Sequence, residues 1–314
     1  MKRFYKDVSV SPVGDAFAIS LDGRPMKTPQ RNQLAVPMPG LADAIAAEWA
    51  AQGEDIIPAS MPLTGLAQGA LDQVESERDR IVGRIAAFAD SDMLYYRADE
   101  GQQALIDHQA EHWDPLLDWA RQRYDVGFNL IHGIRYEAQP EDTITRLANV
   151  VEAQDGFTVA AMLSLVGLSG SLIATLGLVE QTHDSETLWP IVNLEELWQE
   201  QQWGRDDVAV GMRNLKQAEF EAAARFLELY RTNRSHGDTL CPLCDIEIVE
   251  GRSSTGSLPA DQCPDSGRSG DRNQPSGIGA SRGYQHIPDD DNRTEIIPSL
   301  SARPAGTYRH HLYR

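Results

Sequence analysis

His108, Glu111 and His112 spell the pattern H-x-x-E-H. Histidines four apart lie one turn apart on the same helix face, so their imidazoles can share a divalent cation. A zinc-dependent hydrolase built on His108, Glu111 and His112 needs a third protein ligand. Glu180 and Glu186 are the candidates, and neither stands in a context that identifies it. The plainer reading is two partly exposed helix histidines. Cys241-Pro242-Leu243-Cys244 is half of a zinc knuckle, since two thiolates so spaced can take adjacent corners of a tetrahedron. The other half is missing: Cys263 stands alone, and His236 or His286 would have to complete the set. Neither pattern is taken as a metal centre, and no cofactor is expected. The sequence also lacks a G-x-x-x-x-G-K-[ST] loop, a dinucleotide fingerprint and a G-x-S-x-G elbow. The chain therefore reads as a non-enzyme without a nucleotide site.

Charge narrows the partners. With 28 Lys and Arg against 47 Asp and Glu, the net charge of -19 repels phosphate backbones and anionic membrane surfaces, which argues against nucleic acid. Hydrophobic residues at 41% are ample for a buried core, so the chain should fold. All three cysteines come late, so no disulfide framework holds the main body and a reducing compartment fits. Met1-Lys2-Arg3 leads directly into Phe4-Tyr5-Lys6, without an apolar signal core or an Arg/Ser-rich presequence. The expectation is a cytoplasmic, bacterial protein.

Residues 157–179 carry no charge, which is long enough to span a bilayer and opens a second alternative, a membrane-anchored scaffold. Gly167, Gly170 and Gly177 interrupt the run, its near flanks Glu152, Asp155, Glu180 and Asp184 are acidic, and no Lys or Arg lies between Arg146 and Arg205. Two buried helices meeting near Ser169-Gly170, with no stable membrane insertion, are expected instead.

The elements around these residues divide into a β part and an α part. Four short strands are expected at 4–10, 16–21, 24–28 and 33–36 as an antiparallel meander, with Asp22-Gly23 as its clearest hairpin signal. Leu41, Ile45 and Trp49 fall four apart and line a helix that should cover the sheet. From Leu63 the apolar residues recur at three- and four-residue intervals, including Leu66, Ala70, Val74, Ile81, Ile85 and Phe88. A further helix is expected over 102–124, two short strands within 128–139, and more helices over 147–229. The fold class is α+β, with a β-rich domain at 1–62, an α-helical bundle domain at 63–231 and a low-complexity tail at 232–314. That tail has no Trp or Lys and is rich in Ser, Gly, Pro and Asp, a composition expected to be disordered.

Several strings, in order, resemble the Atp-twelve family of assembly chaperones for the F-type ATP synthase. They are Arg3-Phe4-Tyr5-Lys6, Leu21-Asp22-Gly23-Arg24-Pro25-Met26-Lys27-Thr28-Pro29, Ala47-Glu48-Trp49-Ala50-Ala51-Gln52 and Met61-Pro62-Leu63-Thr64. Further on come Gln109, Trp113-Asp114-Pro115-Leu116-Leu117-Asp118-Trp119, Gly170-Ser171-Leu172, and Glu195-Glu196-Leu197-Trp198-Gln199 before Trp203-Gly204. The resemblance implies a small β-rich domain joined to an orthogonal helical domain, and a protein partner, the ATP synthase alpha subunit, in place of a substrate. Relatives of the family act in the mitochondrial matrix. An isolated alpha subunit exposes the surface it later buries against its neighbours, and large exposed apolar patches aggregate. Covering that surface reversibly, without ATP, is the function the resemblance implies. The tail after Tyr230 departs from the family pattern, and no function is carried onto it.

A contact surface is expected at 195–203. Glu195 with Gln199, and Glu196 with Glu200, stand at i, i+4 and would make two adjoining polar, mainly acidic ridges on a helix. Trp198 and Trp203 would supply aromatic anchors beside them. The competing reading makes both tryptophans core and the acids a solvated face. Trp49, Trp113 and Trp119, each in an apolar helical stripe, are expected to be structural.

Overall fold

The structure is a computed structural model that describes residues 1–133 and 135–231. Cys241, Cys244, Cys263 and the expected tail lie outside the described residues. At the centre of the N-terminal sheet is β2 (Ala16–Leu21), whose last four residues are buried. It runs antiparallel to β1 (Val8–Val13), with Val8 opposite Leu21 and Val13 opposite Ala16. Its other edge is shared by β3 (Arg24–Pro25) and β4 (Ala35–Val36). Asp22 and Gly23 have φ of 49° and 74°, so both central residues of the β2–β3 turn are left-handed, as the tight hairpin requires. The Asp22 carboxylate also accepts the N–H groups of Lys6 (3.0 Å) and Asp7 (2.9 Å), tying the turn to the entry of β1.

Two features differ from the expected meander. The first strand begins at Val8 because residues 1–5 run beside 54–56: the N–H of Arg3 donates to the Glu54 carbonyl (2.8 Å), and the Tyr5 hydroxyl reaches the Trp49 carbonyl (2.7 Å). In addition, β4 pairs directly with β2, while the expected pairing of 24–28 with 33–36 is reduced to the Lys27–Gln33 bridge and the Leu34 N–H donating to the Met26 carbonyl (2.9 Å).

Pro39 opens α1 (Pro39–Ala50) at a position where a missing N–H costs nothing, and Leu41, Ile45 and Trp49 are buried as expected. The chain continues through α2 (Pro62–Gly69), a π-helical segment (Ala70–Val74), α3 (Glu75–Ala86) and α4 (Phe88–Ser91). Next come β5 (Tyr96–Arg97), the long α5 (Gln103–Tyr124), and β6 (Ile131–His132), which pairs in parallel with β5. Within 128–139, β6 is the single strand among the described residues, where two were expected. Side chains hold the rest: Gln139 accepts the Asn129 N–H (2.9 Å), and Asp90 accepts the Gln139 N–H (2.9 Å), so these backbone groups need no ladder.

After α6 (Glu141–Glu152), the uncharged stretch forms α7 (Gly156–Ser169) and α8 (Leu172–Val179). Asp155 caps the first and Ser171 the second, while Gly170 at φ +69° makes the left-handed stop between them. Every residue of α8 is buried, so the run is apolar because protein surrounds it. Among the described residues no helix is long and apolar enough to cross a membrane. The chain then forms α9 (Ser185–Val192), α10 (Leu194–Trp203) and α11 (Asp207–Arg231). The second half of α11 closes the core. Phe226 and Tyr230 stack on Phe157, with centroids 6.4 and 5.3 Å away, and Phe220 packs on Trp189 at 5.3 Å. One hydrophobic core runs from Tyr5 to Tyr230.

Candidate partner-binding surface

Asn193 separates α9 from α10, and Gly204, at φ +93°, ends α10 directly after Trp203. Over this one short helix the six residues singled out in the sequence have different fates. Glu195 accepts a hydrogen bond from Gln109 Nε2 (2.6 Å), and the same fully buried Gln109 accepts the Ala98 N–H at 2.9 Å. That carboxylate is tied to α5 and the strand end behind it. Glu196 and Glu200 converge on Arg213 of α11: Glu196 Oε2 lies 3.7 Å from Nη1, and Glu200 pairs with Nη2. The Arg213 side chain is only 11% exposed, so the guanidinium is clamped under the acids. Gln199 is exposed. Trp198 is half-buried, packs against the core and tilts over His108 with ring centroids 5.3 Å apart. Trp203 is 80% exposed.

Sequence reasoning missed two features here. Arg213 partly neutralises the acidic ridges, and its inward position was readable: Val210, Arg213, Gln217 and Phe220 fall at the three- and four-residue spacing of one helix face. The other is a second apolar stripe on α11, where Val208, Met212 and Leu215 point into solvent at the same spacing. The first half of α11 thus shows apolar residues outward just after the exposed Trp203. A large aromatic anchor, an aliphatic stripe and an acidic flank have the composition of a protein-contact surface.

His108, Glu111 and His112 come together on α5, each ready to offer one ligand atom, the atoms all within 4.8 Å of one another. The third ligand required for a hydrolase does not join them. Glu180 is bound by Arg123 Nε and by the Tyr124 hydroxyl, both at 2.6 Å, and Glu186 is absent from the cluster.

The family model described as ATP12 chaperone protein matches residues 2–121. Mitochondrial protein atp12 of Schizosaccharomyces pombe is 26% identical over 219 residues, covering 65% of this chain and 74% of that protein. The crystal structure of Atp12 from Paracoccus denitrificans is 34% identical, with a TM-score of 0.70 over 73% of this chain and 98% of that one. The chain belongs to the ATP12 chaperone family. A proposed chaperone from Agrobacterium tumefaciens is also similar, at 36% identity and a TM-score of 0.69 over 72% of this chain and 85% of that one.

The ATP12 strings noted in the sequence fall largely at joints of the fold. Glu48 accepts the N–H groups of Leu63 and Thr64, each at 2.8 Å, and so caps α2 from across the chain. Trp49 Nε1 donates to Thr64 Oγ1 (3.2 Å), and Trp113 Nε1 to the Ile191 carbonyl (2.9 Å). Arg97 stacks 5.1 Å from the Trp113 ring and bonds Asp114 at 2.6 Å. Trp49 and Trp113 are buried, whereas Trp119 is half-buried against the core.

Proposed function

We propose that this ATP12-family chaperone binds the ATP synthase alpha subunit without nucleotide and shields its subunit interface until the catalytic head assembles. The contact face in this reading is Trp203 with the outward stripe Val208, Met212 and Leu215, flanked by Glu195, Glu196, Gln199 and Glu200. The observation that carries it is that outward stripe beside an 80%-exposed tryptophan, apolar surface that the packing of α11, whose Val210 and Arg213 already face inward, does not require. Glu196 and Glu200 share the single guanidinium of Arg213, and Glu195 is held by the neutral Gln109, which leaves the flank net acidic and suited to a basic rim on the partner. The mechanism is occlusion. The chaperone offers an apolar face of the kind the partner's own neighbour will offer, and that neighbour displaces it during assembly.

The test is light scattering of isolated alpha subunit. Near-equimolar chaperone should suppress aggregation equally with and without ATP. Suppression that appears only with ATP, or only at large excess of chaperone, contradicts a stoichiometric passive shield.

A further inference from the structure

Between α5 and the α9–α10 segment lies a cavity of about 380 Å³, with His108 and His112 on one wall and Pro190, Leu194, Leu197 and Gln201 on the others. His112 Nδ1 lies 3.0 Å from the backbone carbonyl of His108. A carbonyl only accepts, so this contact places the proton on Nδ1 and leaves the lone pair on Nε2, the way a metal-ligating histidine is oriented by its outer partner. The two imidazoles sit 4.5 Å apart, and the Glu111 carboxylate is 3.9 Å from His108 Nδ1.

We propose that His108, Glu111 and His112 form an accessory binding site for a divalent first-row transition ion of the zinc type. Two imidazoles and one carboxylate favour such an ion over magnesium or calcium, which prefer all-oxygen ligands. Around a tetrahedral zinc the ligand atoms stand roughly 3.3 Å apart, given zinc–ligand bonds of about 2.0 to 2.1 Å. The three donors here close to that spacing by side-chain rotation, which Glu111, 74% exposed, is free to make. The remaining coordination positions belong to water. Neither this site nor its test depends on the shielding function.

Trp198 supplies the readout, because its ring lies 5.3 Å from His108, close enough for a bound paramagnetic ion to quench it. In the full chain without an affinity tag, Ni²⁺ should lower tryptophan emission, and excess Zn²⁺ should restore it while Mg²⁺ does not. Trp198→Phe should clearly reduce the drop, the remainder coming from Trp113 next to His112. The His108→Ala/His112→Ala variant, checked for retained helical content, should shift the titration by roughly tenfold or more, and Glu111→Gln, which leaves both imidazoles, by roughly threefold. An unchanged titration in the double-histidine variant overturns the site, as does a full emission drop that survives in Trp198→Phe.

Discussion

Asp92 has no solvent access and holds the end of α4 to the start of α8. It accepts hydrogen bonds from the Leu94 N–H (3.0 Å), the Ile173 N–H (2.9 Å) and the Ser171 hydroxyl (3.0 Å). Burial outweighs these donors and pushes its carboxyl up to about 6. A raised folded-state value means that this group's stabilising contribution is complete below the unfolded carboxylate range and is lost as pH rises through about 6. Asp22, held low by the Asp7 and Lys6 N–H groups, and Asp90, held low by the Tyr136 hydroxyl and the Gln139 N–H, have the opposite sign. Their contribution is lost only at more acid pH, so they are silent between pH 5 and 7.5. Urea unfolding should therefore show the wild type gaining about 1 kcal/mol relative to Asp92→Asn on going from pH 7.5 to pH 5. A constant difference across that range contradicts the assignment.

The two tryptophans of α10 separate at the same scale. Trp198→Ala removes a half-buried ring and should cost roughly 2 kcal/mol of folding stability, less than the about 3 to 5 typical of a fully buried one. Trp203→Ala should stay within about 0.5 kcal/mol of wild type in folding. In binding to alpha subunit the order should reverse, with Trp203 losing roughly 2 kcal/mol as an exposed anchor. Thermal melts and titration calorimetry on the two variants check both orders.

At the scale of elements, Arg213 couples α10 to α11 through Glu196 and Glu200. Glu196→Lys would set an ammonium beside a nearly buried guanidinium. Because Glu196 itself is about half exposed, the cost should be no more than about 1 kcal/mol of stability. Its larger effect should be on encounter: association with alpha subunit should slow, and its dependence on salt should weaken. Stopped-flow rates at two ionic strengths give the answer, and equal salt slopes for variant and wild type would mean that this face does not steer binding.

Most of the elements were legible because their local chemistry and tertiary role agree. Asp22-Gly23 was readable as a turn since both residues tolerate positive φ, and Leu41, Ile45 and Trp49 since a covering helix must bury one stripe. What escaped was set by distant partners. Residues 1–5 gave up strand pairing with β2 because Tyr5 and Arg3 bind the 49–54 segment, and among the described residues of 128–139 only β6 is a strand, because Asp90 and Gln139 bind backbone groups there. In the site, the acids of α10 were visible as spacing, but their neutraliser Arg213 lies on another helix. The outward stripe of Val208, Met212 and Leu215 was hidden because α11 carries two apolar faces, and the one serving the core dominates the pattern.

For the molecule as a whole, the exposed α10–α11 face is the proposed working part and the continuous core its support. Met212→Gln combined with Leu215→Gln probes that division directly, since both residues are exposed and glutamine forms helix nearly as well as the residues it replaces. The decisive measurement is the dissociation constant for isolated alpha subunit, taken beside the thermal midpoint of the free chaperone. The double variant should melt within a few degrees of wild type and bind at least roughly tenfold more weakly. Wild-type affinity in a folded double variant would place the contact elsewhere on the molecule and contradict the proposed face.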